Sequence, residues 1–526
     1  MQLRRRPWLG VLVVSLWGWG CSSSSPASPP DSGSVVPEWD GTAVPLEEVG
    51  DPVDAGTPSA CRVVKDAGPG VACGDFATFD LSGCKRETLA RVSETGVFYG
   101  SVGALAFHGD AGAFADGFPA DKALRDGTTL YATAEYVTLT NTRRVRVAIA
   151  ACEAPTPDLV KSCRSFCVNG KLSGWDFGDL NQVGAPGSQP ESSGGLQLSS
   201  ESFVTQGEPV DVYVTHERAY VVSIDSLWGR GGLTVFDVRD RAHPVLKKVI
   251  HIDGDSYWNA AWSKGDTLYV ASKARGVLLF DIRQPDDPQF LRALPGGEAI
   301  NVHTMFVDGD ILFAMVLDPV ASTLIFDISN PSEPVLLDRY VTPTGPDAWP
   351  VTYTHDAFAY QGRLYVNQQG EGYVIVDVTD PSAPRKLGAY RFPDTFTHAS
   401  AVGTFAGRTI AFEGGENYGA HLRVLDVTDP ANIVKIGEYG LGTYSIHNML
   451  LRGKRLYVAY YQLGLRVLDV SNPTRPREVA HYATYRDTDP YRWGDMFEGA
   501  IGIRIPGDGF VYLVDTSRGL LILNEL

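Results

Sequence analysis

No cysteine follows Cys167, although the chain runs on to Leu526. Basic residues are in deficit as well: Lys plus Arg number 45 against 62 for Asp plus Glu, a formal net charge of −17. Without a basic surplus to neutralise phosphates, a nucleic-acid partner is not expected. Also absent are the Gly-x-Ser-x-Gly nucleophile elbow, the P-loop and the dinucleotide fingerprint. Gly414-Gly-Glu-Asn417 reads as a loop and not a phosphate cradle, since no helix follows to supply a dipole. Helix-rich readings fare badly, because 56 glycines and 33 prolines punctuate the sequence at short intervals. What remains is a β-rich chain of 526 residues, long enough for two or three domains and a large core.

What the sequence does have is one phrase, repeated. Leu465-Arg-Val-Leu-Asp-Val-Ser-Asn-Pro-Thr-Arg-Pro476 has relatives beginning at Leu233, Val277, Thr323, Tyr373 and Leu422. A truncated copy, Leu520 to Leu526, closes the chain. The copies place Asp237, Asp281, Asp327, Asp377, Asp426 and Asp469, with Asn524 seventh, at spacings of 43 to 55 residues. Such a period marks a radial or stacked array. Each phrase is a run of β-branched and large apolar residues, too short for a helix, and reads as a buried strand. Asp-Pro-x-x-Pro behind it, as at Asp380 to Pro384, stops the strand: aspartate bonds its own backbone and proline removes a donor.

One strand signal follows each phrase and two precede it, so every period supplies four antiparallel strands, one propeller blade. The seventh copy ends on its third strand. Leu196 to Val204 matches the fourth-strand pattern and is predicted to complete that blade and close the ring, leaving no exposed sheet edge. The expected fold is therefore all-β: a seven-bladed β-propeller over 196–526, preceded by a small Cys-rich β domain. An open solenoid is the rival architecture, and four strand signals per period suit it less well.

Residues 1–20 read as a lipoprotein signal peptide. Arg4-Arg5-Arg6 is a basic start, Leu9 to Leu16 an apolar core too short to span a membrane, and Gly18-Trp-Gly-Cys21 is similar to a bacterial lipobox. Cys21 is then the lipidation site, with plain secretion as the alternative. Residues 21–59, rich in Ser, Pro, Gly and acidic groups, read as a disordered tether. The expected location is the bacterial cell envelope, at the outer membrane, with the lipid as the membrane contact and a monomer as the soluble form. Residues 60–180 hold Cys61, Cys73, Cys84, Cys152, Cys163 and Cys167, an even number once Cys21 is lipidated, as exported disulfides require. The pairing stays open; zinc is the competing reading, without Cys-x-x-Cys knuckles to support it. Strand signals at Val97 to Phe107 and Thr129 to Ile149 make this segment β-rich, and 181–195 reads as a linker.

Registering the blades on their second strand exposes a further regularity. Asn259, His355 and His447 stand ten residues before Tyr269, Tyr365 and Tyr457, and His303 stands equally far from Phe313. His398 joins them through a longer turn and Asp211 through a shorter one; Glu498 is the candidate in the seventh blade. The first strand of a blade lines the channel, so these residues are predicted to form one ring. Imidazole and carboxylate together are the ligand set of zinc, copper, nickel or iron. The plainer alternative is that they only solvate the channel. Beside them, Trp258, Trp349, Tyr353, Phe396, Tyr444 and Trp493 are predicted at one mouth, a candidate binding surface that includes Asn259.

Val374-Ile-Val-Asp-Val with Asp-Pro-x-x-Pro behind it closely resembles the LVIVD repeat of exported bacterial and archaeal proteins, over residues from about 200 to 526. The resemblance implies a β-propeller outside the cytoplasm, and little about activity. Many copies of that repeat carry aspartate where this chain has His303, His355, His398 and His447, so it is silent about the histidines. Two functions are expected from these readings. The first is an envelope lipoprotein whose propeller binds a protein or glycan; the second is a metal-dependent oxidoreductase or hydrolase using a transition metal in the channel.

Overall fold

Short apolar strands ended by Asp-Pro turns can bury both faces only if sheets stack on one another, and here they stack in a ring. The computed structural model describes residues 38–51, 60–65, 68, 70–100, 102–109, 112–137, 143–183, 190–226, 229–297, 299–343, 353–393, 396–486, 488–492 and 494–526. The signal peptide, Cys21, Trp349 and Trp493 lie outside the described residues. Seven four-stranded antiparallel sheets occupy 208–250, 258–294, 301–340, 353–390, 397–439, 449–482 and, in the last blade, 500–524 with Leu198–Ser202 added outside. Leu198 pairs with Leu523 and Ser202 with Leu520, so the segment before the first blade closes the last one, as its pattern predicts.

The repeated aspartate earns its place as a turn former. Asp281, Asp327, Asp377, Asp426 and Asp469 each accept the backbone N–H two residues on, at 2.7 to 3.1 Å. That bond turns the chain out of the third strand. The tyrosine of the second strand links blades: the Tyr220 hydroxyl donates to the Pro285 carbonyl at 3.1 Å and Tyr269 to Pro331 at 2.8 Å. Tyr457 makes the equivalent bond to the Leu526 carbonyl at 2.8 Å. Each is worth about 1 kcal/mol; the first two key one blade's strand to the next blade's proline turn, and the third keys the sixth blade to the last strand region of the seventh. Apolar side chains such as Leu268, Leu278, Leu312 and Leu324 fill the spaces between blades and are wholly buried.

Ahead of the ring lies a nine-stranded antiparallel sheet, from Gly96–Gly100 to Lys171–Gln182. Three disulfides, Cys61–Cys163, Cys73–Cys167 and Cys84–Cys152, fasten the segment from residue 60 onto its long strands. All six cysteines are used, which leaves no thiolate set for zinc.

Two stretches expected to be loose are packed. Part of the tether, residues 38–51, lies on the fifth and sixth blades: Trp39 is buried with Phe405 and Ile436, and the Leu46 N–H donates to the Lys435 carbonyl at 2.9 Å. Its acidic end meets buried cations. Glu48 accepts Arg423 Nε at 3.0 Å, and Asp51 accepts Arg423 Nη2 at 2.8 Å. Arg423 is fully buried, so these carboxylates compensate a charge that would otherwise be costly. The end of the linker is held too, with the Ser193 N–H on the His481 carbonyl at 2.9 Å and the Ala483 N–H on Glu191 at 2.7 Å.

Candidate metal centre in the propeller channel

A β-bulge opens the inner strand of most blades, and the bulged residue is the one aimed at the axis. In the second to fifth blades the ladder skips Asn259, His303, His355 and His398. A bulge re-aims a side chain without breaking the sheet. His447 precedes the inner strand of the sixth blade, Met449–Arg452. The four imidazoles stand in one arc, with ring centres 4.2, 4.3 and 4.4 Å apart from His303 through His355 and His398 to His447.

Two predicted members fall elsewhere. The bulged residue of the first blade is Val210 and that of the seventh is Ile501. Asp211, one place on, accepts the Ala261 N–H of the next blade at 3.0 Å. Glu498 accepts the Gly494 N–H at 3.2 Å and so ties down the loop before the seventh blade. The first offset arose from allowing a shorter turn and the second from the insertion before the seventh blade, whereas the bulge itself sets the register.

The carboxylate that does reach the arc is Glu416, in the turn after the strand Arg408–Gly415, which the sequence pattern marks only as a loop. Its Oε2 lies 3.9 Å from His355 Nε2 and 3.6 Å from His398 Nε2, and its Oε1 lies 3.7 Å from His447 Nε2. Ligands held at about 2.0–2.1 Å around a tetrahedral metal are about 3.3 Å apart; donor atoms of His355, His398 and Glu416 all lie within 4.8 Å of one another, a candidate three-ligand set, while His447 faces the other carboxylate oxygen. Gly414 and Gly415 permit the approach: a Cβ on Gly415 would lie 2.9 Å from the Phe396 carbonyl oxygen. The Glu416 N–H then donates to that carbonyl at 3.2 Å. The one usable sequence signal was an acidic residue directly behind a double glycine at the end of a second strand.

Protonation states favour a metal. Burial pushes His303 down to about 4 and His447 to about 3, and holds His355 and His398 well below the usual imidazole range, with neighbouring imidazoles adding to the effect on these two. All four rings are therefore neutral at pH 7, the ligating form. His447 Nδ1 lies 2.7 Å from the Ile501 carbonyl, to which it donates, leaving the Nε2 lone pair toward Glu416. Nδ1 of His355 and of His398 are buried without a hydrogen-bond partner among the described residues. Burial pushes Glu416 up to about 8, against the opposing hydrogen bond from the Tyr461 hydroxyl. A dication at this point would reverse that shift. Asn259 Nδ2 lies 3.3 Å from His303 Nε2, so that ring is engaged sideways and flanks the set.

The predicted mouth aromatics serve mainly as packing. Trp258 is fully buried and donates Nε1 to Asp255 at 3.0 Å. Phe396 is buried and Tyr353 half-buried at the start of its strand. Tyr444 stacks on Tyr99 of the N-terminal sheet, ring centres 5.7 Å apart, and Tyr99 also stacks on Tyr418 at 5.4 Å. Val97, Ala104, Phe114 and Tyr485 close around this contact, so the N-terminal sheet packs on the connecting segments of the fifth to seventh blades.

The family model described as LVIVD repeat matches residues 309–342, 353–391 and 447–484. The chain is thus an LVIVD repeat protein, and its repeats build a seven-bladed β-propeller, a fold often used as a binding module. Among solved structures it is similar to the computationally designed Ika8 protein, at 10% identity over 71% of this chain and 95% of that one, with a TM-score of 0.41. It is also similar to the WD40 beta propeller domain of Doa1, at 10% identity over 63% and 98% of the two chains, with a TM-score of 0.44. No curated protein matches it.

Proposed function

We propose that this protein is an exported metal-binding propeller, in which His355, His398 and Glu416 hold one divalent transition metal ion inside the channel, with His447 beside them on the second oxygen of Glu416. The observation that carries the reading is three imidazole Nε2 atoms facing one buried carboxylate at 3.6 to 3.9 Å. Nitrogen and oxygen donors of this kind suit zinc, copper, nickel or iron. The N-terminal sheet packed on the fifth to seventh blades takes up Tyr444, one of the aromatics expected to bind a protein or glycan. Three disulfides support an oxidising location, and lipid anchoring at Cys21 in the cell envelope belongs to the same proposal.

The test is elemental analysis of untagged protein purified without chelator, then reloaded by dialysis against each metal. About one equivalent is expected in the wild type and almost none in a His398→Ala, Glu416→Gln double variant. A wild type that stays metal-free after dialysis rules the reading out.

A further inference from the structure

The turn that carries Glu416 is held from outside the propeller. At its far end, Arg423 Nη2 donates to Asp51 Oδ1 at 2.8 Å, and His421 Nδ1 lies 3.0 Å from the same oxygen without hydrogen-bond geometry. Glu48 adds Oε2 at 3.0 Å from Arg423 Nε and accepts the Tyr390 hydroxyl at 2.9 Å. Phe392 lies under the Arg423 guanidinium at 3.8 Å. In the middle of the turn, Tyr418 carries the stacked ring of Tyr99. At its near end a Cβ on Gly415 would lie 3.6 Å from Asp51 Oδ2. Among the described residues, the only carboxylate of the propeller paired with Arg423 is Glu413, at 3.8 Å, and no hydrogen bond joins the two. Among the described residues, every carboxylate that hydrogen-bonds this buried cation therefore comes from residues 38–51.

We propose that the N-terminal region is a built part of the metal centre: Asp51 and Glu48, acting through His421 and Arg423, and Tyr99, acting through Tyr418, are positioning residues that set Glu416 at the three imidazoles. This rests on the metal reading of the channel. A propeller with residues 38–51 undocked keeps its histidine ligands and loses the carboxylate donor. Coupling of this kind is reciprocal, so metal binding also tightens the docking of residues 38–51.

Cobalt(II) serves as the probe, because its visible spectrum reports the number and type of ligands. Asp51→Asn is expected to weaken cobalt affinity about 10- to 100-fold, the usual effect of losing support behind a ligand. It should also shift the spectrum toward that of Glu416→Gln, while Asp51→Glu restores both. On the wild type, hydrogen exchange in residues 38–51, at Leu46 and Gly50 above all, should slow when cobalt is added. This second measurement needs no variant to fold. Wild-type affinity and spectrum in Asp51→Asn, or exchange in 38–51 indifferent to bound cobalt, overturns the proposal while leaving the metal site standing. Failure of the wild type to bind cobalt overturns both, and is seen separately in the first titration.

Discussion

The Tyr461 hydroxyl donates to Oε1 of Glu416, the same oxygen that faces His447 Nε2 at 3.7 Å. Tyr461 adopts a left-handed backbone conformation, φ 39°, uncommon for an aromatic residue and typical of sites where strain is tolerated for placement. Its phenol fixes which carboxylate oxygen turns to which imidazole.

Tyr461→Phe removes that donor and leaves the ring. Metal affinity should fall about tenfold or more, with little change in the thermal midpoint of the metal-free protein. Competition titration against a chelator of known affinity checks the first, and calorimetry the second.

Stability of the metal-free protein should peak between about pH 5 and 6. The buried imidazoles, at about 4 for His303 and about 3 for His447 against 6.5 unfolded, contribute stability that is present above pH 6.5 and lost as pH falls. The buried carboxylates act in the opposite sense. Glu416 and Glu208, raised to about 8, and Asp356 and Glu413, raised to about 7, contribute stability present near pH 4 and lost as pH rises through those values. Urea midpoints measured from pH 4 to 9 will show the maximum. A flat profile across this range contradicts the burial of these groups.

Closure of the ring rests on Leu198–Ser202, and its Glu201 accepts Arg518 Nε at 3.0 Å. Glu201→Ala strands a largely buried guanidinium and should cost on the order of 2 kcal/mol in denaturant. Deleting 196–204 should leave the strand Gly519–Asn524 as an open edge and produce aggregates on gel filtration.

The disulfide between Cys84 and Cys152 spans 68 residues. Replacing both by serine should lower the stability of the N-terminal sheet by about 4 kcal/mol through restored chain entropy. Peptide mapping without reduction should return all three pairs, and any other pairing contradicts the sheet described above.

The histidine arc was legible because each repeat measures its inner strand against the same second strand: equal spacing placed His303, His355 and His447, and a longer turn admitted His398. Val210 and Ile501 were not legible: both are apolar, and a search for polar residues passes over them to Asp211 and Glu498. Glu416 stands outside the periodic phrase and reaches the channel through a turn specific to one blade. Glu48 and Asp51 looked like solvated acid in a proline- and glycine-bearing segment, since nothing local shows that a buried Arg423 awaits them more than 370 residues away.

By itself the sequence determined the number of blades, the strand that closes them and the height of four imidazoles, because hydrophobic period and turn chemistry are local and repeat. Which carboxylate meets those imidazoles, which cysteines pair and where the N-terminal segment docks were decided only by the tertiary structure. Those depend on distances between residues far apart in the chain, and no periodic pattern encodes a contact that occurs once.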